Sequence, residues 1–328
     1  MVEQILFEVP AKFATGMADG SIVRIGTLLK DSVSGQILSH VQETGLVQKL
    51  LSNTSLLPFS PLSALDLVSS GYANVQLHQL KTFVEGLQVL QYANIGLAAT
   101  GLGVSVLGFL MINQKLKGLE SAITQLSAKM DTHFQELAKK HLRHKFANIY
   151  VLFERAEQAS FLRSPAQEWL TIEGHLAMES GFLRSEIGHH LTQNRFNSDW
   201  FNKMTSALAM CNAARIQCLL QANELDAAQH ASSVIADTYS DLFDPLSATQ
   251  LAARLTEAEH DSREDDLLLF KSNQVKATQM MLGLREMTDA AMTQPLLLEH
   301  LISKEISGQA LLDAIKAQDQ HAIILLTS

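Results

Sequence analysis

Residues able to do chemistry are present in this chain, but not at the spacings that chemistry needs. Twelve histidines occur, with His141 and His144 one helical turn apart and His189 next to His190. A metal site needs three or four ligands converging on one ion. Neither pair is extended by an HExxH motif, a cysteine pair at ligand spacing or two Glu-x-x-His repeats. Cys211 and Cys218 lie seven residues apart on one predicted helix, about 10 Å along its axis and beyond disulfide reach; they read as small buried hydrophobes. There is no GxSxG elbow, no phosphate-cradling glycine loop and no GxGxxG after a strand. Gly101-Leu102-Gly103 lies inside an apolar run with no lysine. The sequence therefore predicts a protein that is not an enzyme, with no cofactor, no metal and no small-molecule substrate.

Composition narrows the remaining classes. A formal net charge of −9 argues against nucleic-acid binding, which needs a concentrated basic surface. Of the 328 residues, 47% are hydrophobic, 18% charged and 6% aromatic, and Leu, Ala, Met and Gln abound, which predicts a mainly helical protein.

What stands out is a stretch with no charge at all, Leu87 to Gln114. Its centre, Ala93 to Ile112, carries only Asn94, Thr100 and Ser105 as polar side chains, and as a helix it spans roughly 30 Å, the thickness of a bilayer's hydrocarbon core. Its ten large apolar residues contribute roughly −3 to −6 kcal/mol to insertion, a sum that the glycines and polar residues erode. Gly96 with Gly103, and Gly101 with Gly108, recur at seven-residue spacing as small positions for close helix approach. The residues predicted to enter lipid are Ile95, Gly96, Leu97, Gly101, Leu102, Gly103, Val104, Val106, Leu107, Gly108, Phe109, Leu110, Met111 and Ile112. Lys115 and Lys117 follow as anchors at the headgroups. The competing reading is a central helix in a soluble bundle, also free of charge on every face.

The elements around this stretch are long helices. No proline occurs between Pro61 and Pro165 and no glycine between Gly118 and Gly174. Apolar residues at helical spacing lead in through Leu77, Leu80, Phe83, Val84, Leu87 and Leu90. Beyond it a seam of Leu116, Leu119, Ile123, Leu126 and Met130 continues the phase of Phe109 and Ile112, as in a coiled coil, and His133 takes the next position. His133 reads as a register-setting or partly exposed core residue rather than a switch, although its protonation near pH 6 could loosen the bundle there. In this layout, from Leu77 to about Lys145, the chain resembles the α-helical pore-forming toxins of the cytolysin A, haemolysin BL and Xax type. The resemblance implies a soluble helical bundle that shelters an apolar segment and inserts it into a lipid bilayer as the protein forms a homo- or hetero-oligomer. Lys139 to Lys145 is a basic cluster in an acidic protein, read as a solvated helix face.

The full expectation is an elongated helical bundle with long coiled-coil-like helices and a small amino-terminal β-hairpin element, divided as 1–45, 46–163 and 164–328. In the first part, Ile5 to Val9 reads as a strand, Ala11 to Ala18 as a short helix stopped at Asp19-Gly20, and Ile22 to Lys30 and Gln36 to Glu43 as two β runs joined by Asp31 to Gly35. Being too small to hold a core, it should pack on the helices or another chain. In the third part, Pro165 opens one helix, Asn194 to Asp199 breaks the chain, Trp200–Ala222 pairs with Glu224–Phe243 in a tetratricopeptide-like hairpin, Pro245 opens the next helix, and the acidic run Glu257 to Asp266 precedes a helix over Leu267–Met287. Pro295 should open the closing helices to Leu326. Met1 to Pro10 lacks a basic start and an apolar run, so the expectation is cytoplasmic synthesis with membrane association on activation. The alternative function is a non-enzymatic helical scaffold, soluble or anchored by one transmembrane helix.

Overall fold

A computed structural model of the chain describes residues 5–46, 85–86, 88–91, 135–193, 196–259, 266–318 and 320–327. It is a mainly helical bundle with a small antiparallel sheet. The strands are β1 (Phe7–Glu8), β2 (Ile22–Ile25), β3 (Leu28–Asp31), β4 (Ile37–Glu43) and β5 (Ile323–Thr327), and the helices are α1 (Ala14–Asp19), α2 (Gln135–Ala159), α3 (Pro165–Thr192), α4 (Ser198–Gln221), α5 (Leu225–Phe243), α6 (Ala248–Glu259), α7 (Asp266–Ser303) and α8 (Gly308–Ala317).

Local signals fix most boundaries. Gly20 ends α1 in the left-handed region at φ 78°. In the β3–β4 loop the Asp31 carboxylate accepts from the backbone N–H groups of Val33 and Ser34 and from the Ser34 hydroxyl. Pro165 stands in the first turn of α3, and Asn197 caps α4 by accepting from the Trp200 N–H at 2.9 Å. The α4–α5 turn closes with Glu224 N–H on Leu219 O and Asn223 N–H on Leu220 O, Asn223 supplying the left-handed residue at φ 58°. This is the usual end of a helix in which one residue must tolerate positive φ.

Ion pairs set how the helices lie against α3. Lys145 and Arg155 of α2 pair with Glu179 and Glu168 at 3.1 and 2.6 Å. Arg215 of α4 meets Glu173 at 3.0 Å, and Arg184 of α3 meets Asp241 of α5 at 3.1 Å. The α2 pairs run in opposite senses along the two sequences, so α2 and α3 are antiparallel. Phe146, Phe153 and Phe201 are among the largest fully buried side chains of the core. Helix α7 is the spine, with α5 and α6 packed along it.

Three sequence expectations are corrected here. Ile22–Lys30 is not one run but two strands, because Gly26 turns the chain at φ 54° and β2 pairs back on β3 from Ile22–Asp31 to Ile25–Leu28. The closing segment is not helical to its end: Ile323–Thr327 is a strand inserted between β1 and β4, giving the order β1-β5-β4-β3-β2. A five-residue apolar run does not reveal its own period, and here the pairing with β4 decides it. Pro295 does not open a helix but lies inside α7. Its missing N–H costs one internal bond, and the buried Ala290, Ala291, Leu297, Leu298 and Leu301 hold both flanks in the core.

The amino-terminal element thus depends on the carboxy-terminal strand and on α7. Ser39 to Glu43 of β4 are all buried, so this strand is covered on both faces.

Candidate functional site

The residues assigned from sequence to membrane insertion, Ile95 to Ile112, lie outside the described residues, as do the anchors Lys115 and Lys117 and the seam residues Leu116, Leu119, Ile123, Leu126, Met130 and His133. Among the described residues no helix is long and apolar enough to cross a membrane. What the structure places is the amino-terminal edge of the uncharged stretch, residues 85–86 and 88–91. Leu90 is fully buried, Gly86 packs against Pro10 and Ile323, and the chain leaves at Gln91 in the left-handed conformation, φ 58°.

Arg24 of β2 holds that exit. Its Nη2 donates to the Gln91 carbonyl at 3.1 Å and to Glu286 Oε1 of α7 at 3.2 Å, while Nη1 donates to the Gly26 carbonyl at 3.1 Å. The Arg24 and Glu286 side chains are only 12% and 13% exposed, so little water competes for the pair. Arginine suits this role because its planar fork reaches several acceptors at once and stays charged.

Glu286 begins a stripe on α7 that faces the sheet. One turn on, the Gly26 turn sits so close that a Cβ there would lie 2.1 Å from the Asp289 carbonyl. Thr293 then accepts from the Thr27 N–H at 2.9 Å and shares a 2.8 Å contact with the Thr27 hydroxyl. The Thr293 proton is directed to its own helix, at the Asp289 and Ala290 carbonyls, so the Thr27 hydroxyl is the donor between them. Two turns further, the His300 ring centroid lies 5.7 Å from that of His40. Positions 286, 289, 293 and 300 share one helix face.

His40 is 1% exposed, in register with Leu28 on one side and Leu326 on the other. Its Nδ1 is buried without a hydrogen-bond partner. Burial pushes the imidazole down from its ordinary value to about 4, and the neighbouring His300 pushes in the same direction. Asp289 is moved the other way: burial raises its carboxyl, against the pull of Arg24 and Arg285.

The histidines singled out by sequence do not come together. His141 stacks edge-on with Phe182 at 5.2 Å, and His144 faces solvent. His190 is buried against Trp200 and Phe196, and its Nε2 accepts from the Asn197 N–H at 3.1 Å. It fixes the α3–α4 junction, and burial lowers its pKa. Cys211 and Cys218 are free thiols in the core, and burial pushes both strongly up. Among the described residues no three His, Cys, Asp or Glu side chains could hold a metal ion.

Sequence reading missed Arg24, Glu286, Thr27, Thr293, His40 and His300. Gly26 inside the apolar run Ile22–Lys30 was the available signal for the docking turn; nothing in the sequence ties that turn to residues some 260 positions away. Comparison with protein-family models, with curated proteins and with solved structures yields no match.

Proposed function

We propose that this protein is a membrane-active effector: a helical bundle that keeps the uncharged stretch Leu87–Gln114 away from water and inserts it into a lipid bilayer, assembling with further copies or a second component to permeabilise it. The observation that carries the reading is the stretch itself, 28 residues without a charge and long enough for a bilayer core. The setting of its near end supports concealment. Leu90 belongs to the buried core, and Arg24 holds the Gln91 carbonyl by a polar contact that can be broken and remade. A permanent anchor needs no such attachment to a water-facing fold.

The test is release of a trapped dye from liposomes, with fractionation before and after acid, heat or protease. A conditional membrane protein moves from the aqueous to the detergent-requiring fraction and releases dye. Charged substitutions at Gly101 or Leu107 should abolish release while leaving the helical circular dichroism intact. Absence of binding and release under every trigger would sink the reading in favour of a helical scaffold.

A further inference from the structure

We infer that the face between the sheet and α7 is an acid-opened latch, in which protonation of His40 against His300 parts β4 from the helix and loosens the Arg24 grip on Gln91. The inference rests on the membrane reading for its purpose, since it supplies that reading with a trigger.

The geometry carries it. His40 sits in a covered strand, and its two register neighbours, Leu28 and Leu326, are apolar and cannot take up a charge. The ionisable group facing it from α7 is His300, 5.7 Å away between ring centroids, so a proton on each ring brings two cations together. The other ionisable groups of this region are Glu299 beside His300 on α7 and Lys304 just beyond its end, Glu43 further along β4, His321 before β5, and Arg24 with Arg285, Glu286 and Asp289 at the far end of the stripe. Burial and His300 both disfavour the proton on His40. An imidazolium at this position therefore regains its hydration only by leaving the interface.

At the far end of the stripe Glu286 holds the Arg24 fork in place. Because the sheet meets α7 through one stripe from Glu286 to His300, loss of the His40 end also strains the Gly26 turn and the Thr27–Thr293 contact.

Amide hydrogen exchange on the full chain tests this, comparing about pH 7.5 with about pH 4.5 after correction for intrinsic rates. Opening at β4 and at 286–300 should rise by about 10- to 100-fold in the wild type and by less than about 3-fold in His40→Phe, which fills the site without titrating. An equal rise in both proteins overturns the latch. If His40→Phe is misfolded at neutral pH, His300→Gln takes its place: a transition moved to lower pH supports the latch, and an unmoved one overturns it. Dye release measured in parallel separates the two ideas. His40-dependent opening without release under acid, heat or protease keeps the latch and removes the membrane reading; release with pH-independent exchange does the reverse.

Discussion

The hydroxyls of Thr27 and Thr293 meet at 2.8 Å across the junction of sheet and helix, and the Thr27 N–H ends on the same oxygen at 2.9 Å. One threonine on α7 thus satisfies both polar groups at the tip of the β2–β3 turn, where Thr27 is fully buried. Thr293→Val keeps the shape and removes the acceptor. Two buried donors are then left unpaired, and the unfolding free energy should fall by about 2–4 kcal/mol. Adding Thr27→Val, which removes one of those donors, should recover part of the loss in a urea-denaturation double-mutant cycle.

Gly26 is required at the same contact for two reasons, its φ of +54° and the absence of a Cβ where the Asp289 carbonyl stands. Gly26→Ala meets helix backbone, which cannot swing aside as a flexible side chain does. A loss of about 2–4 kcal/mol follows, with amide protection lost first in β2 and β3. Uniform loss across the bundle would show that the sheet does not dock as an independent layer.

The parts of this fold that were legible in the sequence are those whose signals are local. Gly20, Pro165 and Asn197 each mark a boundary by their own conformational or capping chemistry, and proline and polar breaks placed α3 to α6 without reference to anything distant. What was not legible is set by contacts between the chain ends. Ile323–Thr327 becomes a strand because β4 and β1 flank it. Pro295 stays within α7 because both flanking turns are buried. The candidate site is the extreme case: Arg24 and Glu286, or His40 and His300, carry no pattern that joins them, whereas the uncharged stretch is visible from composition alone.

The acid response has a definite sign. The imidazole of His40 stands at about 4 in the folded protein against an ordinary 6.5, so the opened or unfolded chain binds the extra proton between those values. Stability is therefore complete above about pH 6.5 and declines as pH falls towards 4, by at most about 3 kcal/mol from this group. Asp289, raised by burial, works weakly in the opposite direction, because its folded form takes up a proton more readily than an ordinary aspartate. Urea midpoints measured from neutral to acid pH should show a net decline that His40→Phe flattens.

Cys211 and Cys218 are fully enclosed in α4, and burial holds both thiols protonated. Reaction with a thiol reagent near neutral pH should be slower than for a free thiol by orders of magnitude, and should become complete in urea. Their rate in the native protein reports global opening of α4, so acid that only parts the sheet from α7 should leave it unchanged. Fast labelling at mildly acid pH, corrected for reagent chemistry, would mean that the bundle loosens as a whole.

Arg24 joins the sheet, α7 and the approach to the uncharged stretch in one side chain, so its removal has two separable effects. Arg24→Met leaves the Glu286 carboxylate little exposed and without this cation, which should cost about 3–5 kcal/mol. Adding Glu286→Leu removes the stranded charge and should restore most of the stability, because a well-packed apolar pair often equals a buried ion pair. The double variant still lacks the donor to the Gln91 carbonyl, and no stability measurement will restore that contact. Limited proteolysis between Gln91 and Gln135 should therefore be faster in the double variant than in the wild type at matched stability. Equal cleavage rates would mean that the Arg24–Gln91 contact does not restrain the chain where it enters the uncharged stretch.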